Sequence, residues 1–233
     1  MPAHARALLL TPLLWLAWAT HAHARDPAIP WRTDLTLATE APLSLGPRLV
    51  VEGPYRVRVG ASVGFIPGLY VDAINEAVVA LGAYDRKVAR LIELSLDTSI
   101  VTRVDLGWRV WEERGLYFQL GYRYVGFGGR VEGDQVSALI EVDLPQNGQR
   151  YAYEVDSAWH MLDAEVGWVW FLPYNILVHA GLGFAGTFEA RAEVASIYTL
   201  DNYEETATRK LNEIYDRYAF SPLVTLGVGY RFE

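Results

Sequence analysis

The sequence predicts an all-β fold, an antiparallel up-and-down transmembrane β-barrel of about eight strands with helical segments in its long external loops. Three observations predict it. Eight segments alternate apolar and polar residues, the mark of strands with two different faces. In the last five, from Ile100 to Phe232, the apolar residues hold to even numbers. The connections between segments are mostly short and long in turn, as the periplasmic turns and external loops of a membrane barrel are.

The first segment, Thr33 to Thr39, is short, with Leu35 and Leu37 on one side and Asp34 and Thr36 on the other. Leu43 to Val51 follows, with Leu43, Leu45, Leu49 and Val51 on one face. Glu52-Gly53-Pro54 turns the chain into Tyr55 to Phe65, where Tyr55, Val57, Val59, Ala61, Val63 and Phe65 oppose Arg56, Arg58, Gly60, Ser62 and Gly64. The fourth strand, Ile100 to Trp111, sets Val104, Leu106, Trp108 and Val110 against Arg103, Asp105, Gly107 and Arg109. The fifth, Leu116 to Phe127, shows Phe118, Leu120, Tyr122 and Tyr124 outward and Gln119, Gly121 and Arg123 inward. In the sixth, about Ser157 to Leu172, Leu162, Ala164, Val166, Trp168 and Trp170 face away from Asp163, Glu165 and Gly167. The seventh, Ile176 to Val194, opposes Val178, Ala180, Leu182, Phe184 and Phe188 to His179, Gly181, Gly183, Thr187, Glu189, Arg191 and Glu193. Ser221 to Phe232 closes the set, with only Thr, Gly and Arg opposite Val224, Leu226, Val228, Tyr230 and Phe232.

Turns after strands two, four and six span about three or four residues and connections after three, five and seven roughly 25 to 35, which puts both termini at the periplasmic end. The short connection after strand one departs from this rule. Tyr70 to Leu96 and Asp201 to Tyr218 carry apolar residues at three- and four-residue spacing and read as helices that cap the barrel or lie in the membrane interface. Val136 to Val142 reads as part of a hairpin turning at Pro145-Gln146-Asn147-Gly148.

Residues 1–24 read as a signal peptide and 25–233 as a single barrel domain. Arg6 precedes an apolar run from Ala7 to Ala19, and Ala22-His23-Ala24 has the form of a signal-peptidase site cleaved after Ala24. That run is about 13 residues, short of the roughly 20 of a spanning helix. A net charge of -8 without a basic run argues against a nucleic-acid partner. The absence of cysteine removes disulfides, thiolate metal sites and cysteine nucleophiles.

The strand count, the turn pattern and the terminal Tyr230-Arg231-Phe232 resemble the small outer-membrane β-barrel proteins, the eight-stranded OmpA-like and OmpW-like group. The resemblance spans nearly all of residues 25–233. It implies a location in the bacterial outer membrane of a Gram-negative cell and contact with outer-membrane lipids and lipopolysaccharide. It also implies insertion by the barrel-assembly machinery, which reads a C-terminal aromatic; here Glu233 follows Phe232.

Two sets of residues are expected to carry the protein's properties. Tyr55, Trp108, Tyr122, Tyr124, Trp168, Trp170, Tyr230 and Phe232 are outward aromatics suited to the headgroup zone. Arg48, Arg56, Arg58, Arg103, Arg109, Arg123, Arg191 and Arg231 face inward with Asp105, Asp163, Glu165, Glu189 and Glu193. An eight-stranded barrel is only wide enough to be filled by its side chains, and charges held away from water must pair. The leading expectation is therefore a lumen plugged by an Arg/Asp/Glu network and a structural or surface-interaction role.

Inward glycines, among them Gly60, Gly107, Gly121, Gly167, Gly181 and Gly227, leave space. It could accommodate arginine side chains, or it could hold a narrow channel or a transport path for small or apolar solutes. The third reading, an outer-membrane lipid-modifying enzyme, draws attention to Ser157, His160 and Asp163, yet alternation turns His160 away from the other two. His179 reads as an inward packing histidine. The spacing suggests no metal site and no cofactor.

Overall fold

The computed structural model describes residues 31–72, 98–111, 115–132, 152–196 and 220–232, together with Glu76, Glu205, Thr206, Thr208, Arg209 and Asn212. Eight strands run β1 Arg32–Ala41, β2 Ser44–Glu52, β3 Val57–Gly64, β4 Thr98–Arg109, β5 Leu116–Glu132, β6 Ala152–Phe171, β7 Ile176–Ser196 and β8 Phe220–Phe232. Each pairs antiparallel with its sequence neighbour, and β1 pairs with β8 to close the barrel. Closure leaves no sheet edge in the lipid, where an unpaired backbone group would be costly. Among the described residues no helix is long and apolar enough to cross a membrane.

The outer surface is apolar. Leu35, Val59, Val104, Leu106, Phe118, Leu120, Leu162, Leu182, Phe184, Leu226 and Val228 are all exposed, and every one lies on the strand face predicted to meet lipid. On β6 this apolar band runs between Trp170 and His160. Ten residues at roughly 3.4 Å each, tilted by about 40°, rise about 26 Å, close to the ~25 Å apolar height of a membrane barrel. The barrel is a transmembrane one.

Two of the turns at the end carrying both termini share a conformation. Tyr55 and Arg56 have φ of 60° and 66°, and Tyr174 and Asn175 have φ of 65° and 59°. Two successive left-handed residues are what a tight hairpin needs to follow the twist of its strands. Tyr55 and Arg56, expected as the first residues of the third strand, therefore belong to the turn Pro54–Arg56. Leu43, expected on the outer face of the second strand, is buried just before β2 begins.

Strands β5, β6 and β7 run past the lengths expected for them, to Glu132, Ala152 and Ser196. The connections that follow β5 and β7 are correspondingly shorter, 133–151 and 197–219. The cause is an inversion of polarity above the lipid. There Phe127, Tyr153, Val155, Ala192 and Val194 point inward and are buried, whereas Glu154, Asp156 and Glu193 are exposed. Beyond the membrane the outside of a barrel meets water, so the alternation that marks lipid-facing strands reverses.

A β-bulge makes this reversal on β7. His160 pairs with Glu189 and Met161 with Thr187, leaving Phe188 as an extra residue that shifts the phase of everything after it. Among the described residues the β7–β8 register ends at Gly186 and Phe220, below the bulge. The segment before β8 covers the β7 edge above it. Ala192 N–H donates to Asn212 Oδ1 at 2.9 Å, Asn212 Nδ2 donates back to Ala192 O at 3.3 Å, and Val194 N–H donates to Thr208 Oγ1 at 3.1 Å. Side chains four residues apart on a helix share a face, so Thr208 and Asn212 act as a short surrogate strand.

At the entrance to the first long loop, residues 68–72 are helical, Val71 is buried, and the Tyr70 hydroxyl is hydrogen-bonded to Thr39 on β1. Glu76, Glu205, Thr206, Thr208, Arg209 and Asn212 are helical as well, in keeping with the helical expectations for 70–96 and 201–218; the rest of those two segments, and the hairpin at 136–148, lie outside the described residues.

Candidate functional site: a buried charge network

Among the described residues six arginines and six carboxylates are buried inside the barrel: Arg48, Arg58, Arg103, Arg109, Arg123 and Arg231 with Asp34, Glu40, Glu52, Asp105, Asp163 and Glu165. Six against six leaves no net charge among these buried groups. They fall into two layers.

The inner layer centres on Glu40 near the end of β1. Its carboxylate accepts Arg103 Nη1 at 2.9 Å and pairs with Arg123 Nη2 at 2.5 Å and Arg48 Nη1 at 3.8 Å. Ser44 Oγ donates to it at 3.3 Å. Arg103 reaches across to Asp163 as well, and its Nη1 lies 3.4 Å from Glu165. Arg48 Nη2 donates to both oxygens of Asp105 at 3.0 Å and to Gln119 Oε1 at 2.9 Å. Tyr117 Oη and Thr225 Oγ1 donate to Glu165 at 2.6 and 3.1 Å. Side chains from β1, β2, β4, β5, β6 and β8 thus meet in one hydrogen-bonded cross-section. With Arg123 0% and Arg103 1% exposed, water does not reach the centre of this layer.

Toward the loop end an apolar layer lies above it, formed by Leu43, Val101, Val125, Met161, Ala185 and Leu223 with the aromatics of the extended strands. The second charged layer lies at the turn end. Arg231 Nε and Nη2 donate to Asp34 at 2.6 and 2.8 Å, and Arg109 pairs with Glu52. Arg58 stacks over the ring of Tyr117 at 4.4 Å.

The inward glycines are the counterpart of this network, and register shows how. Gly60 lies directly opposite Asp105, Gly121 opposite Asp163, Gly167 opposite Tyr117 and Gly227 opposite His179. A Cβ at Gly60 would stand 2.5 Å from an Asp105 oxygen, and one at Gly121 2.8 Å from Asp163. Space vacated by each glycine is taken by the side chain across from it. In these four pairs the space holds Asp105, Asp163, Tyr117 and His179 rather than the arginines expected there, with Arg103 Nε 2.9 Å from the Cβ position of Gly121 as well.

Most of the charge set predicted from sequence lies in these layers; four residues do not. Arg56 sits in the turn with its guanidinium 5.8 Å above the Trp108 ring, outside the lumen. Glu189, Arg191 and Glu193 face outward because the bulge at Phe188 reverses their phase. Arg191 pairs with Glu189 at 2.5 Å on the surface, its side chain 79% exposed. Conversely Asp34, Glu40 and Glu52 are part of the network and outside the predicted set. Parity held the signal: Asp34, Thr36, Ala38 and Glu40 are all even and all inward. Glu40 lies one residue past the predicted end of strand one, and the sequence pattern puts Glu52 in a turn.

Ser157 and Asp163 are buried inside while His160 lies outside, with its Nδ1 2.7 Å from the Tyr122 hydroxyl. Tyr124 and Phe188 complete that outer cluster, their ring centroids 5.4 and 6.2 Å from the His160 ring. At the other end lie Tyr55, Trp108, Trp168, Trp170, Tyr230 and Phe232; Trp108 Nε1 donates to Tyr55 O at 3.0 Å, and the Tyr230 and Phe232 rings are 4.9 Å apart. Among the described residues no group of three or more His, Asp or Glu is placed to hold a metal ion.

Neither a protein-family model nor a curated protein sequence matches the chain. Among solved structures it is similar, at low identity, to the following chains. A major outer membrane protein from Thermus thermophilus is 15% identical, with a TM-score of 0.47, over 87% of this chain and all (100%) of that one. Acinetobacter baumannii CarO is 13% identical, with a TM-score of 0.39, over 89% of this chain and 100% of its own. CarO2 of the same organism gives the same identity of 13% and TM-score of 0.39. Identities this low assign no activity.

Proposed function

We propose that the protein is an outer-membrane β-barrel of a Gram-negative bacterium with a closed lumen, serving a structural or surface-interaction role as a small barrel of the OmpA-like or OmpW-like kind. The single observation that carries this reading is the ion-paired cross-section around Glu40, sealed above by the apolar layer. An ion crossing it would have to separate buried ion pairs, and uncompensated buried charge costs several kcal/mol.

Export by a signal peptide cleaved after Ala24 and insertion by the barrel-assembly machinery belong to the same proposal. So does contact of the two aromatic sets with phospholipid and lipopolysaccharide headgroups. The charged outward faces of β6 and β7 above the bulge favour surface contacts on the external side.

Planar bilayers test the closed lumen. Purified barrel should give no unitary conductance and no solute flux; a stable conductance would refute closure and favour a narrow channel. The same preparation should come from the outer-membrane fraction and migrate differently on a detergent gel before and after boiling.

A further inference from the structure

We propose that the turn-end mouth of the barrel is a binding site for a phosphate group, built by Arg32, Arg109 and Arg231 around the ring of Phe171. These four residues line a cavity of about 210 Å³ together with Asn175. Arg109 and Arg231 are buried, at 1% and 7% exposure, and their guanidinium carbons lie 5.5 and 4.1 Å from the Phe171 ring centroid. Both are held in place: Arg231 by Asp34 through Nε and Nη2, which leaves Nη1 outside that pair, and Arg109 by Glu52. Guanidinium groups fixed by carboxylates need little further ordering to receive a ligand.

Charge marks this end of the lumen. Around Glu40 three arginines, Arg48, Arg103 and Arg123, face four carboxylates, Glu40, Asp105, Asp163 and Glu165. Among the described residues of the mouth, Arg58, Arg109 and Arg231 lie with Asp34 and Glu52, and the half-buried Arg32 stands opposite Glu52 in the β1–β2 register. Among these described residues four cations stand against two anions. Arg58, opposite Glu52 on the other side, has Nε and Nη1 buried without a hydrogen-bond partner. Arginine forks suit an oxyanion presenting several acceptor oxygens, and phosphate meets that need better than a single carboxylate.

The cavity is also bounded by Leu172 and Ile176, both exposed on the outer surface. A bound phosphate would therefore sit at the headgroup height of the periplasmic leaflet, a placement that rests on the membrane orientation proposed above. The phosphate could belong to a phospholipid or be free in the periplasm.

The mature chain refolded in nonionic micelles distinguishes these sources. Native mass spectrometry should show one phosphatidylglycerol retained per barrel, with diacylglycerol, which lacks the phosphate, not retained. Arg32→Gln and Asn175→Asp should each weaken retention about tenfold, while Arg191→Gln at the opposite end leaves it unchanged. Neither of the first two positions belongs to the inner network, and heat-dependent gel migration verifies that each variant folds. Displacement of the lipid by inorganic phosphate would assign the site to free phosphate as well; failure of phosphate to displace it would assign the site to the lipid headgroup. Equal retention of diacylglycerol, or undiminished retention by both variants, would overturn the site while leaving the closed-barrel reading intact.

Discussion

Glu40 is the residue on which the interior depends most, because three arginines converge on its carboxylate. Glu40→Gln keeps the shape and removes the charge, leaving Arg48, Arg103 and Arg123 without their shared partner in a layer water does not enter. Breaking a buried pair on one side costs about 3–5 kcal/mol. Urea unfolding of the refolded barrel, followed by tryptophan fluorescence, should show a loss of that size, and an unchanged midpoint would mean the arginines redistribute to other partners. The four cross-strand glycines express the same constraint from the other side. Asp105, Tyr117, Asp163 and His179 reach their positions because the residue opposite each has no side chain.

At the scale of elements, β7 changes character at Phe188. Below it the strand is a barrel stave with an apolar outer face; above it the strand is half of a solvated ribbon whose free edge is covered by Thr208 and Asn212. Asn212 satisfies both the N–H and the C=O of Ala192 with one side chain. Asn212→Ala should expose both groups without touching the barrel. Hydrogen exchange at the Ala192 amide should accelerate by a factor corresponding to about 1–3 kcal/mol, the cost of leaving such a group unsatisfied. Exchange in β1–β4 should stay as it was; acceleration there would mean that the ribbon and barrel open together.

For the whole molecule, the lipid-facing band sets the scale of surface substitutions. Leu120, 69% exposed, lies on β5 midway between Leu116 and Tyr124, the stretch within the apolar band. Leu120→Arg should destabilise the barrel in bilayers by about 2–4 kcal/mol, whereas Tyr124→Arg, at the edge of the band, should cost about 0–1 kcal/mol. Reversible folding into phospholipid vesicles measures both. Equal costs would place Leu120 away from the midplane. Arginine at Gln119 would act differently, since Gln119 is buried and accepts a hydrogen bond from Arg48: the harm would come from a seventh arginine in a balanced interior.

The membrane face was legible in the sequence because lipid makes a uniform demand. Every outward residue within the band must be apolar, so alternation alone separates Leu120 from Gln119 and Leu226 from Thr225, and it yields eight strands and their order. Most inward charges follow from the same parity. The tertiary structure alone decided what those charges do: which carboxylate is the hub, that Gly60 serves Asp105 and Gly227 serves His179, and that Arg56 lies outside. It also decided where the rule stops. Above the lipid the solvent is water, so polarity inverts, and the one extra residue at Phe188 turns Glu189, Arg191 and Glu193 from the expected lumen to the surface. Parity counted along a strand carries no record of an unpaired residue, because a bulge is defined by the partner strand.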